Sequence, residues 1–317
     1  MNQIIKHKII LNPTAGKGAA KQNQPKIEDL CRQNGLDYKL TETERPWHAA
    51  ELTIQAVEEG FDVVVAVGGD GTSNEVLNGL MLAKEKLGKT AALGILCAGR
   101  GNDFAYGVGV PADLKDGCEA LAAGRRITMD VGKVTGGLYP GGRYFGNGIG
   151  VGFDTIVGFE AAKFKRLSGL PVYLIAALKT LFLYFKAPHL RLDFNGSSVT
   201  EKLIQISIMN GRRMGGLFMM APEARPDDGL FDLCFVNEIS QLRMIGMIVK
   251  YIKGTQADDP AVFTGRAPGV KIEALEGGLA VHADGETIAE EGSSLQVECL
   301  KQQIEVISAY GGEKASS

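Results

Sequence analysis

A short apolar strand followed by a glycine-rich turn, at residues 62–75, constrains the fold of this chain most strongly. Residues 63–67 form an unbroken run of valine and alanine, which is typical of a strand buried on both faces of a parallel sheet. The run ends in Gly-Gly-Asp-Gly at 68–71, where the lack of Cβ lets a ligand approach the backbone amides. Open α/β sheets bind ligands where their strands end, so this turn is either a ligand site or only a tight strand-to-helix turn. We expect Ser73 to cap the helix that follows, with Glu75 in its first turn.

Composition limits the classes of protein to which the chain can belong. Its 317 residues are enough for two domains, and 45% of them are hydrophobic, which supplies a sizeable core. The formal charge of −3 predicts no basic surface for nucleic acid, so a nucleic-acid partner is not expected. Five cysteines without a CxxC pair predict free thiols in a reducing cytoplasm rather than a zinc site or disulfides. We expect no export, because residues 1–8 carry no apolar signal segment with a small-residue cleavage site.

Strands alternate with helices over residues 1–126, which predicts a doubly wound, Rossmann-like α/β domain. The predicted strands are 8–11, 37–42, 63–67 and 93–96, and glycine-rich loops follow the first, third and fourth. Because the carboxyl ends of parallel strands meet at one edge of a sheet, we expect these three loops to form a crevice. The first loop, at 12–18, lacks the spacing of a P-loop. It either binds phosphate together with the next helix N-terminus or is only a structural loop.

The pattern changes after residue 126. Short strand-like segments separated by turns predict a second, mainly antiparallel β-sandwich domain over 127–300. The predicted strands are 127–134, 143–148, 190–194, 201–209, 229–236, 269–273, 278–283 and 294–300. Residues 301–317 form a C-terminal segment, for which a return to the first domain is one arrangement.

An apolar helical segment near 160–187 interrupts the second domain. Basic residues flank its apolar runs, which fall well short of the ~20 residues that a membrane span requires. The segment either packs over the β domain or lies on an anionic membrane surface. The same alternatives apply to a weaker predicted helix at 241–253.

Five motifs follow one another along the chain. They are Asn12-Pro-Thr-Ala-Gly16, Gly68-Gly-Asp-Gly-Thr72 with Gly99-Arg-Gly-Asn-Asp-Phe104, Gly146-Asn-Gly-Ile-Gly-Val-Gly-Phe-Asp154, Ala221-Pro-Glu-Ala-Arg-Pro-Asp-Asp-Gly-Leu230 and His282-Ala-Asp-Gly-Glu286. Together they resemble the catalytic domain of bacterial diacylglycerol kinases and their sphingolipid and ceramide kinase relatives, over nearly the whole chain. The resemblance implies ATP bound in a cleft between two lobes. The implied ATP contacts are Asn12, Pro13, Thr14, Ala15, Gly16, Thr43, Gly69, Asp70, Gly71, Thr72, Ser73, Asn74, Glu75 and Arg100.

Two Mg²⁺ sites are implied by the same resemblance. Asp70, Asp103 and Asp130 lie near the ends of predicted strands and would organise a catalytic Mg²⁺ through its waters. Taken singly, Asp103 is equally well explained as a helix cap and Asp130 as a solvated strand residue. A structural Mg²⁺, or else a simple Asp-Asp-Gly turn, is implied at Arg225, Asp228 and Leu230.

An acidic pair, Asp284 and Glu286, flanks Gly285 at the end of a predicted strand. The resemblance implies that this pair faces the γ-phosphate and that one carboxylate takes the proton from the acceptor hydroxyl. We expect Asp284 to be that base, with Asp70 acting at the nucleotide; a hairpin turn is the structural alternative. Arg100 replaces the threonine usual in the family, which removes a hydroxyl and adds a guanidinium that suits phosphate.

The expected reaction is ATP- and Mg²⁺-dependent phosphorylation of a lipid hydroxyl, with diacylglycerol as the first candidate acceptor and phosphatidic acid as product. The alternatives are an NAD kinase, which shares the Gly-Gly-Asp-Gly turn, and a nucleotide sensor without catalysis. The Gly-Asn-Asp-Phe loop and the apolar segment 170–185 favour a lipid. We expect a cytoplasmic protein; peripheral contact with the inner membrane face and a homodimer are left open.

Overall fold

A computed structural model of the chain describes residues 5–99, 101–163, 175–176, 179–180 and 187–309. The chain folds into two compact units: the first comprises residues up to Val131 and those from Lys301 onward, and the second comprises Gly132–Leu300. Most of the expected helical segment at 160–187 lies outside the described residues. Among the described residues, no helix has the length and apolar character needed to span a membrane.

The first unit is an α/β fold around a parallel sheet. Its strands are β1 (Lys6–Leu11), β2 (Asp37–Glu42), β3 (Val63–Gly68) and β4 (Ala92–Cys97), in the order β2-β1-β3-β4. The end of β15 (Ser294–Ile307) pairs in parallel with β4, through Val306 and Leu93. Every residue of β3 is buried, as expected for a strand covered on both faces.

Helices cover both faces of this sheet. They are α1 (Ala19–Gln33), α2 (His48–Glu58), α3 (Asp70–Leu87), α4 (Asp103–Gly107) and α5 (Leu114–Ala123). Val63, Val65 and Val67 point to the face that packs against α1 and α5, while Val64 and Ala66 are buried on the opposite face. The expectation that Ser73 caps α3 is wrong. The helix begins at Asp70 after Gly69, and Ser73 is buried inside its first turns.

The second unit is a mainly antiparallel β fold. Its strands are the last part of β5 (Arg126–Gly136), β6 (Tyr139–Phe145), β7 (Gly148–Gly152), β8 (His189–Phe194), β9 (Ser197–Met209), β10 (Phe231–Asn237), β11 (Val262–Ala267), β12 (Gly269–Glu276), β13 (Leu279–Ala283), β14 (Glu286–Gly292) and the first half of β15. A path of paired strands runs β14-β13-β7-β9-β8-β12-β15, and β10 lies between β9 and β11. One face of these strands closes a core that includes Phe145, Ile206 and Phe231.

Helices whose bounds lie within the described residues pack on the other face of the second unit. They are α6 (Phe153–Ala162) and α7 (Gln241–Lys253). Phe153 of α6 and Met244, Met247 and Tyr251 of α7 share an apolar cluster with β9 and β10. The helix predicted at 241–253 is therefore present, with one face packed on the β unit.

Candidate active site

Three loops of the first unit meet where β1, β3 and β4 end. Asn12, at the end of β1, donates through its backbone N–H to Val67 O at 3.0 Å and through its side chain to Thr72 Oγ1 at 3.1 Å. Its Oδ1 accepts from the N–H and the hydroxyl of Thr14, at 3.1 and 2.8 Å. Ala98, after β4, donates to Gly68 O at 2.8 Å. The three loops expected to form a crevice are thus tied to one another.

Glycine is required where these loops touch. A Cβ on Gly99 would lie 2.3 Å from the Cα of Gly69, a distance that backbone atoms cannot accommodate. Gly16 adopts a left-handed φ of 61°, and its Cβ would lie 2.3 Å from the carbonyl oxygen of Ala98. The backbones therefore pack directly on one another, which fixes the edge of the crevice.

The N-terminus of α3 opens into this region. Its N-cap residue, Gly69, makes no side-chain cap hydrogen bond, and the first turn of a helix favours anions because its N–H groups point outward. Asp70 Oδ1 accepts the backbone N–H of Phe104 at 3.0 Å, which links the turn after β3 to the start of α4. A Cβ on Gly101 would lie 2.9 Å from Asp70 Oδ2 and 3.4 Å from Asp103 Oδ2. The two carboxylates therefore converge beside Gly101.

The residues expected to contact ATP differ in their exposure. Gly71 and Thr14 are exposed, and most of the others are half-buried: Asn12, Pro13, Ala15, Gly16, Thr43, Gly69, Asp70 and Glu75. Thr72, Ser73 and Asn74 are buried. Thr43 donates its N–H to Leu11 O at 2.8 Å, while Glu75 accepts the N–H of Ala49 at 3.1 Å, at the start of α2. Arg100 lies outside the described residues.

Asp130 is fully buried rather than solvated. Its Oδ1 accepts the backbone N–H of Gln302 at 2.7 Å, and Gln302 has a left-handed φ of 53°. The carboxylate thus fixes an irregular point of β15, in the same unit. Among the described residues, no three His, Cys, Asp or Glu side chains are grouped as direct metal ligands. Asp70, Asp103 and Asp130 are therefore not grouped as direct ligands of one metal ion.

The region expected to hold a structural Mg²⁺ contains an ion pair. Asp228 Oδ1 accepts the N–H of Leu230 at 3.0 Å, and Oδ2 binds the guanidinium of Arg266. Arg266 also approaches Asp232 Oδ1 at 3.6 Å, where burial raises the pKa of the Asp232 carboxyl. Arg225 pairs with Asp227 at 3.4 Å. Because the guanidinium already neutralises Asp228, a metal at this position would have to compete with Arg266.

Asp284 occupies the tight turn between β13 and β14, with a left-handed φ of 48°. Its carboxylate accepts three backbone N–H bonds, from Gly146 at 2.7 Å and from Asn147 and Gly148 at 3.0 Å each. Its own N–H donates to Gly148 O at 3.1 Å. Three such donors favour the ionised carboxylate and fix the turn against the entry to β7. The hairpin-turn alternative is therefore present, with a buried carboxylate that holds the turn.

Glu286 forms a bidentate ion pair with Arg143. The Nε and Nη2 atoms of Arg143 donate to the two carboxylate oxygens at 2.7 Å each, and Arg143 also lies 5.0 Å from the ring centre of Tyr139. Sequence reasoning missed Arg143 because no local pattern connects residues so far apart in the chain.

Sequence reasoning also gave no role to His282 and Asp154, although both belong to the quoted motifs. His282 Nε2 lies 3.7 Å from Asp154 Oδ2. A Cβ on Gly150 would lie 2.2 Å from that oxygen and 2.5 Å from that nitrogen, so glycine provides the space in which the two side chains meet. The signal in the sequence was the alternating glycines of β7.

Comparisons with known proteins place these two units in one family. The model of the diacylglycerol kinase catalytic domain matches residues 6–134, and the model of the YegS C-terminal NAD kinase beta sandwich-like domain matches residues 147–308. A diacylglycerol kinase of Staphylococcus aureus (strain bovine RF122 / ET3-1) is 31% identical over 281 residues, which cover 88% of this chain and 85% of that protein. This chain belongs to the diacylglycerol kinase family.

Other members of the diacylglycerol kinase family match over similar lengths. The diacylglycerol kinase of Staphylococcus saprophyticus is 28% identical over 301 residues, 94% of each chain. A crystal structure of a diacylglycerol kinase from Bacillus anthracis superposes with a TM-score of 0.72 over 97% of this chain and 98% of that chain, at 20% identity, which supports the fold. The diacylglycerol kinase catalytic match contains the converging loops, and the β sandwich-like match contains Asp284 and Glu286.

Proposed function

We propose that the chain is an ATP- and Mg²⁺-dependent lipid kinase that phosphorylates diacylglycerol to phosphatidic acid. One observation carries the proposal: three strand-end loops meet beside the N-terminus of α3, where the carboxylates of Asp70 and Asp103 converge. Backbone amides and hard oxygen donors in one place are what phosphoryl transfer requires, since its catalysis consists mainly of positioning and charge stabilisation. The names of the similar proteins support the lipid acceptor.

The first unit would bind the nucleotide. The exposed and half-buried backbone at 12–16 and 69–71 would contact the phosphates, while buried Thr72 accepts a hydrogen bond from Asn12 and so joins two of the loops. Asp70 and Asp103 present oxygen atoms that fit Mg²⁺ through its waters. When bound, Mg²⁺ neutralises charge on the phosphates.

The second unit would contribute the acidic pair. The acceptor oxygen forms a bond to Pγ while the bond from Pγ to the β–γ bridging oxygen breaks, and ADP leaves. The hydroxyl proton passes to a carboxylate, for which we propose Asp284, with Glu286 as the alternative. The transition state of phosphoryl transfer is loose, so orientation of the hydroxyl by a fixed carboxylate matters more than strong basicity. We propose that the chain acts in the cytoplasm, where ATP is available, and at the inner membrane face, where a lipid acceptor resides.

Transfer from labelled ATP to a panel of acceptors tests the proposal. The panel contains diacylglycerol, phosphatidylglycerol, a sphingoid base and NAD, and diacylglycerol is expected to take the label. Asp284→Asn is expected to bind ATP without transferring phosphate. Labelling of NAD alone would replace the lipid kinase with an NAD kinase, the second candidate, which the match to an NAD kinase-like sandwich favours. ATP binding without transfer to any acceptor would instead support a sensor.

A further inference from the structure

Helix α7 has a second apolar face that is exposed. Met244, Met247, Ile248 and Tyr251 are buried against the β unit, and the Tyr251 hydroxyl lies 3.3 Å from Cys234 Sγ. The other apolar side chains of the helix form what we call the outer stripe: Leu242, Ile245, Val249 and Ile252, which are 80%, 39%, 46% and 38% exposed.

The spacing of the outer stripe places its members on one side of the helix. Successive members are three, four and three residues apart, which brings them into line on a helix of 3.6 residues per turn. A helix of 13 residues extends about 20 Å, and the stripe runs nearly its whole length. Beside its middle, a Cβ on Gly246 would meet nothing within 4 Å. The stripe is therefore a continuous apolar surface rather than one exposed side chain.

Basic side chains lie along one edge of the outer stripe. The helix contains Arg243, Lys250 and Lys253 and no acidic residue. At about 100° per residue, these three follow one another on the flank next to Leu242 and Val249. Asp259 pairs with Arg243 at 2.6 Å and with Lys250 at 2.9 Å, which leaves the helix and this partner with a net positive charge. Lys253 is exposed beside the stripe.

We propose that the outer stripe of α7 docks on the surface of a bilayer that contains anionic phospholipid. An apolar face bordered by cations is the pattern of helices that lie in the headgroup region. A second copy of the chain fits less well, because an isologous contact between antiparallel helices would bring the same cationic edges together, whereas anionic headgroups neutralise them. The inference rests on the proposed function in one respect: a kinase for diacylglycerol must reach an acceptor that resides in a bilayer.

Vesicle sedimentation of the 317-residue chain, without ATP, tests this docking. The protein is expected to sediment with phosphatidylcholine vesicles that contain phosphatidylglycerol. Leu242→Gln combined with Val249→Gln should weaken binding at least about tenfold, since two apolar side chains lose their burial. Lys253→Gln should weaken it by about fivefold on anionic vesicles only. Leu138→Gln is the matched control, because Leu138 is 64% exposed elsewhere on the same unit, and it should bind as the unmodified protein does.

The variants also separate docking from catalysis. Thermal unfolding should be unchanged in all of them because the replaced side chains are exposed. Turnover of a short-chain, water-dispersed diacylglycerol should be unchanged in the double variant, while turnover of vesicle-borne diacylglycerol falls. If no acceptor is phosphorylated but vesicle binding still depends on the outer stripe, the proposed function fails and the docking stands. Equal vesicle binding by the double variant and the control overturns the docking. The docking is also overturned if the unmodified protein is a dimer, the double variant is a monomer, and both bind vesicles equally well.

Discussion

The carboxylate of Asp70 accepts the backbone N–H of Phe104 at 3.0 Å, so one side chain both joins two loops and presents charge beside Gly101. Asp70→Asn keeps an oxygen for this N–H and removes the charge, whereas Asp70→Ala removes both. We expect Ala to lower the free energy of unfolding by about 1–3 kcal/mol, and Asn by less. Both should lower phosphate transfer at least about 100-fold. Thermal unfolding and labelled-ATP turnover measure the two effects; full turnover by Asp70→Asn would show that the charge is not needed.

Two glycines of the same site should respond oppositely to alanine. Gly99→Ala places a Cβ 2.3 Å from the Cα of Gly69 and should destabilise the first unit, whereas a Cβ at Gly71 meets nothing within 4 Å. Gly71→Ala, inside α3, should stabilise the fold by about 0.5–1 kcal/mol. If phosphate approaches the Gly71 backbone, the same change should weaken ATP binding. Unfolding midpoints and calorimetric titration with ATP distinguish these outcomes, and unaltered ATP affinity in Gly71→Ala would remove that residue from the nucleotide site.

Asp284 should prove structural as well as functional. In the native protein both carboxylate oxygens of Asp284 accept backbone N–H bonds. Asp284→Asn keeps one oxygen but replaces the other with an NH₂ group, which cannot accept such a bond. We expect the free energy of unfolding to fall by about 1–3 kcal/mol, because a buried backbone donor loses its acceptor. Hydrogen exchange of the amides at 146–148 should quicken relative to those of β10. Unchanged protection there would contradict the role of the carboxylate in holding this turn.

The ion pair of Arg143 and Glu286 is suited to a double-mutant cycle. The two side chains are 11% and 25% exposed, so solvent screens the pair only in part, and we expect a coupling energy of about 1–2 kcal/mol. The cycle consists of Arg143→Met, Glu286→Gln and the combined variant, and the free energy of unfolding is measured for each. The exposed pair of Arg45 and Glu51 is the matched control, for which we expect a weaker coupling because solvent screens both side chains. Equal coupling in both pairs would show that burial adds nothing.

Stability should depend on pH through His7. Burial lowers the pKa of His7 below its ordinary 6.5, and among the described residues its Nε2 has no hydrogen-bond partner. Between the lowered pKa and 6.5 the unfolded chain therefore binds more protons than the folded one, so stability is full above pH 6.5 and falls as the pH drops towards the lowered value. His7→Gln should remove this part of the dependence, and His189→Gln should not. Melting temperatures across that range provide the measurement, and identical profiles for both variants would refute the assignment to His7.

The sequence predicted correctly those strands and helices that are determined by the pattern of their own residues. The valine run at 63–67 became β3, and the apolar period at 241–253 became α7. Strand β7 was missed because its alternating glycines have little strand propensity, although its pairing with β9 and β13 buries every residue. Ser73 was misassigned as a cap because Gly69 already allows α3 to begin at Asp70. The contacts of Asp284 with 146–148 and of Arg143 with Glu286 join residues more than a hundred positions apart, and no local period encodes them.

The pairing of Val306 with Leu93 has a consequence for synthesis. The first unit cannot complete its sheet until residues beyond 300 have left the ribosome, because the strand that contains Val306 is translated after the whole second unit. The second unit is therefore inserted into the first, and its residues are all translated before the first unit can complete its sheet. A truncated product ending at residue 131 would expose the open edge of β4, and such an edge invites pairing with other chains.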